Sequence, residues 1–194
     1  MGRFGQIAAR LLHLHKIKTT VIDYSPDLLD LVRAFGYKVY YGDATQLSIL
    51  EPVGIQHAKI LLLAMDERES CVRTAELVRK HYPHVKIISR AFDLVHAHEL
   101  MEVGVKDIER ETFSAALAVG ERALVELGFH PFEAKRSAKI FAKYDEKVVE
   151  KMYHHRAERK EYISVARQSR EDLTKLFEQD ELSIKVGLAD SAWT

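Results

Sequence analysis

The stretch "GRFGQIAARLL" (2–12) joins two glycines to the start of an apolar helical pattern. The G-x-x-G spacing of Gly2 and Gly5 is the second half of G-x-G-x-x-G, the turn that leads from a strand into a dinucleotide-binding helix. The first glycine and its strand would precede Met1, so we expect the natural chain to continue upstream. Backbone N–H groups at such a helix N-terminus attract phosphate, although a lone G-x-x-G also opens ordinary helices.

Beyond this stretch, short apolar runs alternate with helical patterns as far as about residue 110. The alternation predicts an α/β fold, a Rossmann-like doubly wound parallel sheet whose first strand is missing from this chain. Without that strand, we expect an exposed apolar face and two strand edges. The predicted strands are "TTVIDY" (19–24), "YKVYY" (37–41), "AKILLLAM" (58–65), "VKIISRA" (85–91) and "VKDIER" (105–110).

The pattern changes after Glu111, where helical stretches rich in paired charges replace the alternation. A break follows at "GFHP" (128–131), and a weak strand pattern occurs at "LSIKVGL" (182–188). We predict a Rossmann-like nucleotide-binding domain at 1–111, a helical arm at 112–185 and a disordered tail at 186–194.

The composition argues against several classes of function. Lys and Arg together number 29, as do Asp and Glu, so no broad field attracts DNA, RNA or an anionic membrane surface. No apolar stretch reaches the roughly 20 residues that a membrane helix needs, and no signal peptide is recognisable, so we expect a cytosolic chain. Small molecules and protein surfaces are the expected partners.

The one cysteine and ten histidines give no pattern of a metal or redox site. Cys71 lies on an amphipathic helical pattern, which predicts a buried and unreactive thiol. The sequence contains no H-x-x-x-H and no C-x-x-C, so we predict that the chain has no metal site.

Small and polar residues follow the predicted strands, at the edge where open α/β sheets bind ligands. Asp23 ends "TTVID", and an acid about 20 residues beyond the glycines accepts hydrogen bonds from ribose hydroxyls and disfavours a 2′-phosphate. Asp43 and Thr45 can hydrogen-bond an adenine or cap the next helix, and both interpretations stay open. The candidate nucleotide site comprises Gly2, Arg3, Phe4, Gly5, Asp23, Tyr24, Gly42, Asp43, Ala44, Thr45, Ala64, Met65 and Asp66.

Three segments carry a resemblance to a known family: "GRFGQ", "GYKVYYGDAT" and "HAHELMEVGVKDIERETF". They resemble the regulator-of-potassium-conductance (KTN) domain. More narrowly, they are similar to the C-terminal domain of the Kef glutathione-gated potassium efflux systems. The resemblance runs from Gly2 to about Leu127 and continues more loosely to about Lys175.

The resemblance implies a homodimer with an exchanged helical arm, attached to a membrane antiporter domain at the cytoplasmic face of the bacterial inner membrane. It implies AMP or NAD(H) in the Rossmann crevice. Glutathione between the subunits would hold the potassium–proton antiport system closed, and bulkier glutathione adducts would open it, which protects against electrophiles. A flavodoxin-like quinone reductase is implied as an ancillary subunit.

The resemblance also implies a glutathione site at Arg10 and Arg110. Guanidinium groups bind carboxylates through paired hydrogen bonds, and glutathione has two carboxylates. For Arg110 the alternative is a salt bridge with a neighbouring acid. Asp145 occupies the position at which the family has a polar amide side chain, and an acid there would repel a carboxylate. Phe35 matches an aromatic that bulky adducts displace, and core packing at the helix end is its alternative.

Two other functions fit parts of the pattern. A nicotinamide-dependent oxidoreductase would need a proton donor or base beside the cofactor, but no Tyr-x-x-x-Lys and no His–acid pair lies directly after the carboxyl end of a predicted strand. The second alternative is a generic nucleotide-gated domain of a potassium channel or transporter, without glutathione control. We predict a regulatory domain and not an enzyme.

Overall fold

The computed structural model describes residues 2–26, 32–156 and 158–191, with side chains to residue 180. The chain divides into two compact units, Met1–Phe113 and Ser114–Thr194. The stretch "PDLLDLVRAF" (26–35) has the apolar spacing of a helix, and its residues 27–31 lie outside the described residues. Gly36 follows it with φ +83°, the left-handed conformation that favours glycine after a helix. None of the described helices is both long and apolar enough to cross a membrane.

The first unit alternates strands and helices, as the apolar pattern predicts. Its described strands are β1 (Thr20–Asp23), β2 (Lys38–Tyr41), β3 (Ile60–Leu63), β4 (Lys86–Ala91) and β5 (Asp107–Arg110). Its helices are α1 (Arg3–Leu14), α2 (Leu47–Val53), α3 (Arg68–His81) and α4 (Leu94–Glu102), with a 3-10 turn at Ile55–His57.

Among the described residues, all strand pairs are parallel, and the strands form two sheets rather than one. β1 pairs with β2, and β3, β4 and β5 form a second sheet in that order. These orders match strands 3-2 and 4-5-6 of the doubly wound arrangement 3-2-1-4-5-6. The described residues contain no strand at the position between β1 and β3, where strand 1 of that arrangement lies. The predicted α/β fold class is confirmed.

The core lies between the β3–β5 sheet and helices α3 and α4. Alternate residues of a strand point to opposite faces, and residues three or four apart on a helix share one face, so both elements bury an apolar side. Cys71 is fully buried within this cluster, as predicted. The buried core residues are Leu50, Ile55, Leu63, Cys71, Ala75, Val78, Val85, Ile87, Ala91, Ala97, Leu100 and Val105.

Apolar surface is exposed on α1 and on β3. Ile7, Leu11 and Leu14 lie at helical spacing on α1 and are 60% or more exposed. Ile60 begins β3 and is 54% exposed. These side chains form the exposed apolar surface that the sequence predicts.

The second unit is helical throughout its described length. It contains α5 (Phe113–Glu126, whose first residue belongs to the first unit), α6 (Pro131–His154) and α7 (Arg159–Ser191). The hydroxyl of Tyr144 on α6 donates to the Ser169 carbonyl on α7 at 2.8 Å. Arg136 and Asp180 form an ion pair between the same helices.

The end of α7 corrects two predictions. Residues 182–188, predicted as a weak strand, are helical, and so are residues 186–191 of the predicted disordered tail. Residues 192–194 lie outside the described ranges. A helix grows by adding one hydrogen bond for each residue fixed, so a long charged helix extends readily through a short strand-like stretch.

Candidate functional site

A cleft of about 380 Å³ lies at the N-terminus of α1, beside the C-terminal ends of β3, β4 and β5. Three of the residues predicted to bind a nucleotide line this cleft, and three residues outside that predicted set complete its lining. The lining residues are Gly2, Arg3, Asp66, Arg90, Phe92 and Glu111. The cleft therefore occupies the edge of the sheet at which ligands of open α/β folds bind.

The N-terminus of α1 is open toward this cleft. Gly2 is the N-cap in an extended conformation, and no side chain caps it. A Cβ at Gly2 would lie only 3.3 Å from Oδ2 of Asp66, so glycine permits the close approach of these two segments. The first N–H groups of a helix have no partner within it, which leaves them directed at whatever occupies the cleft.

Arg90 is the central cation of the cleft, although it is only 4% exposed. Its Nη2 donates to Oδ1 of Asp66 at 2.9 Å and to the Met65 carbonyl, and its Nη1 lies 3.5 Å from Oε1 of Glu111. The guanidinium also lies over the ring of Phe92 at 4.6 Å. A buried guanidinium needs such partners because desolvation of an unpaired charge is expensive.

Arg90, Phe92 and Glu111 were not predicted as site residues from the sequence. A charged residue near the end of the apolar run "VKIISRA" was the available signal, because a charge is seldom buried without a specific role. Phe92 and Glu111 gave no comparable signal, since aromatic and acidic residues after strands are common.

The loops after β1 and β2 meet each other. The carboxylate of Asp23 accepts a hydrogen bond from the Ser25 N–H at 2.8 Å, and its backbone carbonyl accepts one from the Gly42 N–H at 3.0 Å. Tyr24 is 67% exposed beside them. The predicted strand-end acid and the predicted glycine loop are therefore neighbours, at the ends of paired strands.

The "YGDAT" loop (41–45) is organised by its own hydrogen bonds. Oδ1 of Asp43 accepts from the Thr45 N–H at 2.9 Å, and this bond is the main reason why the pKa of Asp43 is lowered. The N-cap of α2 is Gln46, so Asp43 and Thr45 shape the turn before the helix and do not themselves cap it. A Cβ on Gly42 would lie 2.8 Å from Cγ2 of Ile49, so this glycine permits close packing within the loop.

Ala64 and Met65 continue the chain from β3 into the cleft wall, and both are half-buried. The carbonyl of Met65 accepts from Arg90, and its sulfur accepts from the Thr74 hydroxyl at 3.6 Å. Phe4 of α1 contributes its ring, which lies 5.6 Å from the Arg90 guanidinium. Gly5 is buried, and Ala44 packs against the core.

The residues implied for glutathione are dispersed over the two units. Arg10 is exposed on α1, and Arg110 at the end of β5 is half-buried with its guanidinium 4.3 Å from the ring of Phe113. Asp145 is half-buried on α6 of the second unit. Phe35 is 62% exposed, which corrects the alternative that it packs in the core.

Behind Phe92, His96 is fully buried on α4. Its Nδ1 accepts from the Phe92 N–H at 3.2 Å, and the two rings stack with centroids 5.4 Å apart. Burial lowers the pKa of His96, with a further contribution from the Arg68 charge. Within the described ranges, no group of three or more His, Cys, Asp or Glu side chains is placed to hold a metal ion.

Two families match this chain. Residues 1–110 match the TrkA-N domain, and residues 115–189 match the potassium efflux system KefB C-terminal domain. A solved structure of the Shewanella denitrificans Kef C-terminal domain, in its AMP-bound form, is 35% identical with a TM-score of 0.74. The alignment covers 79% of this chain and 94% of that one.

The chain belongs to the Kef C-terminal domain family.

More distant structures share the fold of this Kef C-terminal domain. The TrkA-N domain of the inner membrane protein YbaL from Escherichia coli is 23% identical, with a TM-score of 0.57 over 66% of this chain and 91% of that one. The GsuK channel bound to NAD is 19% identical, with a TM-score of 0.58 over 63% of this chain and 22% of the channel. At these identities the likeness shows the fold alone.

Proposed function

We propose that this chain is a ligand-sensing regulatory domain of a potassium efflux (K⁺/H⁺ antiport) system, with AMP or NAD(H) bound in its Rossmann crevice. The observation that carries the proposal is the cleft at the open N-terminus of α1, lined by strand-end residues. The 35% identical Kef C-terminal domain that contains AMP supports it. The nucleotide would lie at the carboxyl ends of the strands, in contact with the residues predicted from the sequence, of which Gly2 is the first and Asp66 the last.

Asp23 supports a nucleotide with free ribose hydroxyls. Its carboxylate lies at the end of β1, where it already accepts one hydrogen bond from the Ser25 N–H. A carboxylate at this place accepts hydrogen bonds from the ribose and repels a 2′-phosphate. AMP and NAD(H) therefore fit this edge better than a 2′-phosphorylated dinucleotide does.

Glutathione is the proposed inhibitory ligand, held between subunits of a homodimer by Arg10 and Arg110. Arg10 is exposed and so is accessible to a ligand or a partner subunit. The Arg110 side chain is oriented by its cation–π contact with Phe113, which favours a fixed guanidinium plane for a carboxylate. Asp145 remains part of the proposed glutathione site. Its side chain is negatively charged, unlike those of Arg10 and Arg110, so it would repel a carboxylate of glutathione.

Phe35 is the proposed gating aromatic for glutathione adducts. Its ring is 62% exposed just before Gly36, so a bulky adduct can displace it without opening the core. A ligand changes an equilibrium between two arrangements only through different affinities for them. Glutathione would favour the closed arrangement, and an adduct that displaces Phe35 would favour the open one.

The proposed partners follow from the family. They are a second copy of this chain, a membrane antiporter domain of the same protein and a quinone reductase subunit of flavodoxin type. The proposed location is the cytoplasmic face of the bacterial inner membrane. The second candidate function is a nucleotide-gated domain without glutathione control, and the match of residues 1–110 to the TrkA-N domain supports it.

Calorimetric titration with reduced glutathione, in the presence of AMP, tests the proposal. We expect saturable binding by the unmodified chain and its loss in Arg110→Ala and in Arg10→Ala. Arg122→Ala, which removes an exposed arginine on α5, is the matched control and should bind normally. Binding of AMP without any binding of glutathione would favour the second candidate function.

A further inference from the structure

The ion pair between Arg90 and Asp66 joins two very different environments. Arg90 is buried, with 4% of its side chain exposed, whereas the side chain of Asp66 is 71% exposed at the mouth of the cleft. Glu111, with 31% exposure, is the second acid near the guanidinium. The exposed Asp66 is therefore the partner that can leave without disturbing the core.

Asp66 also lies at the N-terminus of α1. The 3.3 Å separation between its Oδ2 and a Cβ built on Gly2 places the carboxylate against the N-cap of this twelve-residue helix. The partial positive charge of a helix N-terminus and the adjacent guanidinium attract the same anion. The Asp66 carboxylate therefore lies next to both the N-cap of α1 and the Arg90 guanidinium.

Arg90 retains donor capacity beyond its present partners. Its Nε has no hydrogen-bond partner among the described residues, although the atom is buried. A guanidinium presents five N–H donors in a planar fork that matches phosphate oxygens. Departure of Asp66 would free one N–H of Nη2, whose other N–H donates to the Met65 carbonyl, while Glu111 stays close to Nη1.

We propose that Arg90 binds the nucleotide phosphate, and that the Asp66 carboxylate holds the phosphate position until the ligand displaces it. This inference rests on the proposed nucleotide binding and names the residue that holds its charged group. The exposed Asp66 carboxylate is solvated once it leaves, and hydrogen bonds from a desolvated guanidinium to phosphate are strong. In this proposal Asp66 competes with the nucleotide phosphate for Arg90 and does not itself bind the nucleotide.

Titrations with AMP and with adenosine test this assignment, because the two differ by the phosphate alone. We expect Arg90→Lys to weaken AMP binding by about tenfold or more and to leave adenosine binding unchanged, since lysine lacks the planar fork. Asp66→Asn should tighten AMP binding several-fold, again without a change for adenosine. Arg68→Lys is the control, because Arg68 pairs with Glu99 and does not line the cleft.

Each outcome separates this inference from the proposed function. If the unmodified chain binds neither AMP nor adenosine, nucleotide binding itself is wrong. If AMP binds but Arg90→Lys binds it equally well, the phosphate assignment to Arg90 is overturned. Weaker binding of both ligands by Asp66→Asn would overturn the displacement and make Asp66 a direct ligand. If Arg90→Lys does not fold, Asp66→Asn provides the test. The ratio of its affinity for AMP to its affinity for adenosine must then be higher than in the unmodified chain, and an unchanged or lower ratio would overturn the inference.

Discussion

At the scale of single residues, Gly42 shows how tightly the loop after β2 is built. Because a Cβ there would lie 2.8 Å from Ile49, we expect Gly42→Ala to lower the free energy of unfolding by about 1–3 kcal/mol. Gly120→Ala is the control, since a Cβ on Gly120 meets nothing within 4 Å and alanine is favoured inside a helix. Urea denaturation measures both.

The same variant separates two roles of this glycine. If Gly42→Ala retains full stability but binds AMP less tightly, the glycine serves the ligand, as the sequence predicts, and not the packing of Ile49. Lower stability with unchanged AMP affinity would assign it to packing alone.

His96 makes stability depend on pH. Burial lowers the pKa of His96 below its usual 6.5, and the charged groups Arg68, Glu99, Asp93 and Arg90 surround it. The unfolded state therefore binds more protons as pH falls through about 6.5, so stability decreases toward acid and is fully present above that pH.

We expect His96→Asn, which keeps an acceptor for the Phe92 N–H, to remove this dependence. The free energy of unfolding should then change less between pH 7.5 and 5.5 than it does in the unmodified chain. His15→Asn, at an exposed position, is the control. Equal pH dependence in the His96 variant and the unmodified chain would contradict the assignment.

At the scale of elements, α6 begins with an unusual cap. The Nδ1 of His130 accepts from the Phe132 N–H at 3.2 Å, and Oε2 of Glu133 accepts from the His130 N–H at 3.4 Å. Pro131 fits the first helical position, where no N–H bond is lost. The sequence predicted the break and the helix but not this reciprocal cap, because histidine is not a favoured N-cap residue.

We expect His130→Asp to stabilise the chain by about 0.5–1 kcal/mol, since aspartate is a better N-cap and its charge complements the helix dipole. Glu133→Ala should destabilise it by a similar amount, and Glu133→Gln should be nearly neutral. Urea denaturation monitored by circular dichroism measures these differences. Destabilisation by His130→Asp would mean that the imidazole makes contacts that aspartate cannot replace.

Elements with a strong periodic pattern were predicted well. Strands β1 to β5 and helices α3, α4 and α6 follow from apolar spacing, because backbone geometry fixes which side chains share a face. The prediction of a strand at 182–188 was wrong, because a few residues of alternating polarity are compatible with both a strand and a helix. Its neighbours in α7 decide the outcome, since helix formation is cooperative.

At the scale of the whole molecule, the two compact units predict separate responses to ligand. If nucleotide binds in the first unit only, AMP at about 100 times its dissociation constant should stabilise that unit by about 2.7 kcal/mol. Scanning calorimetry should show one transition that moves with AMP concentration and one that does not. A single transition that moves as a whole would show that the units unfold together.

The sequence by itself determined the order of strands and helices, the buried Cys71 and the glycine-led start of α1. These features depend on local backbone geometry and on the burial of apolar faces, which periodicity records directly. Only the tertiary structure brought Asp66 to Arg90, 24 residues away, and set both beside Gly2. The order of the parallel strands determines which strand ends are neighbours, and local patterns do not encode that order. The pairing of Arg90 with Asp66 therefore could not be predicted from the sequence.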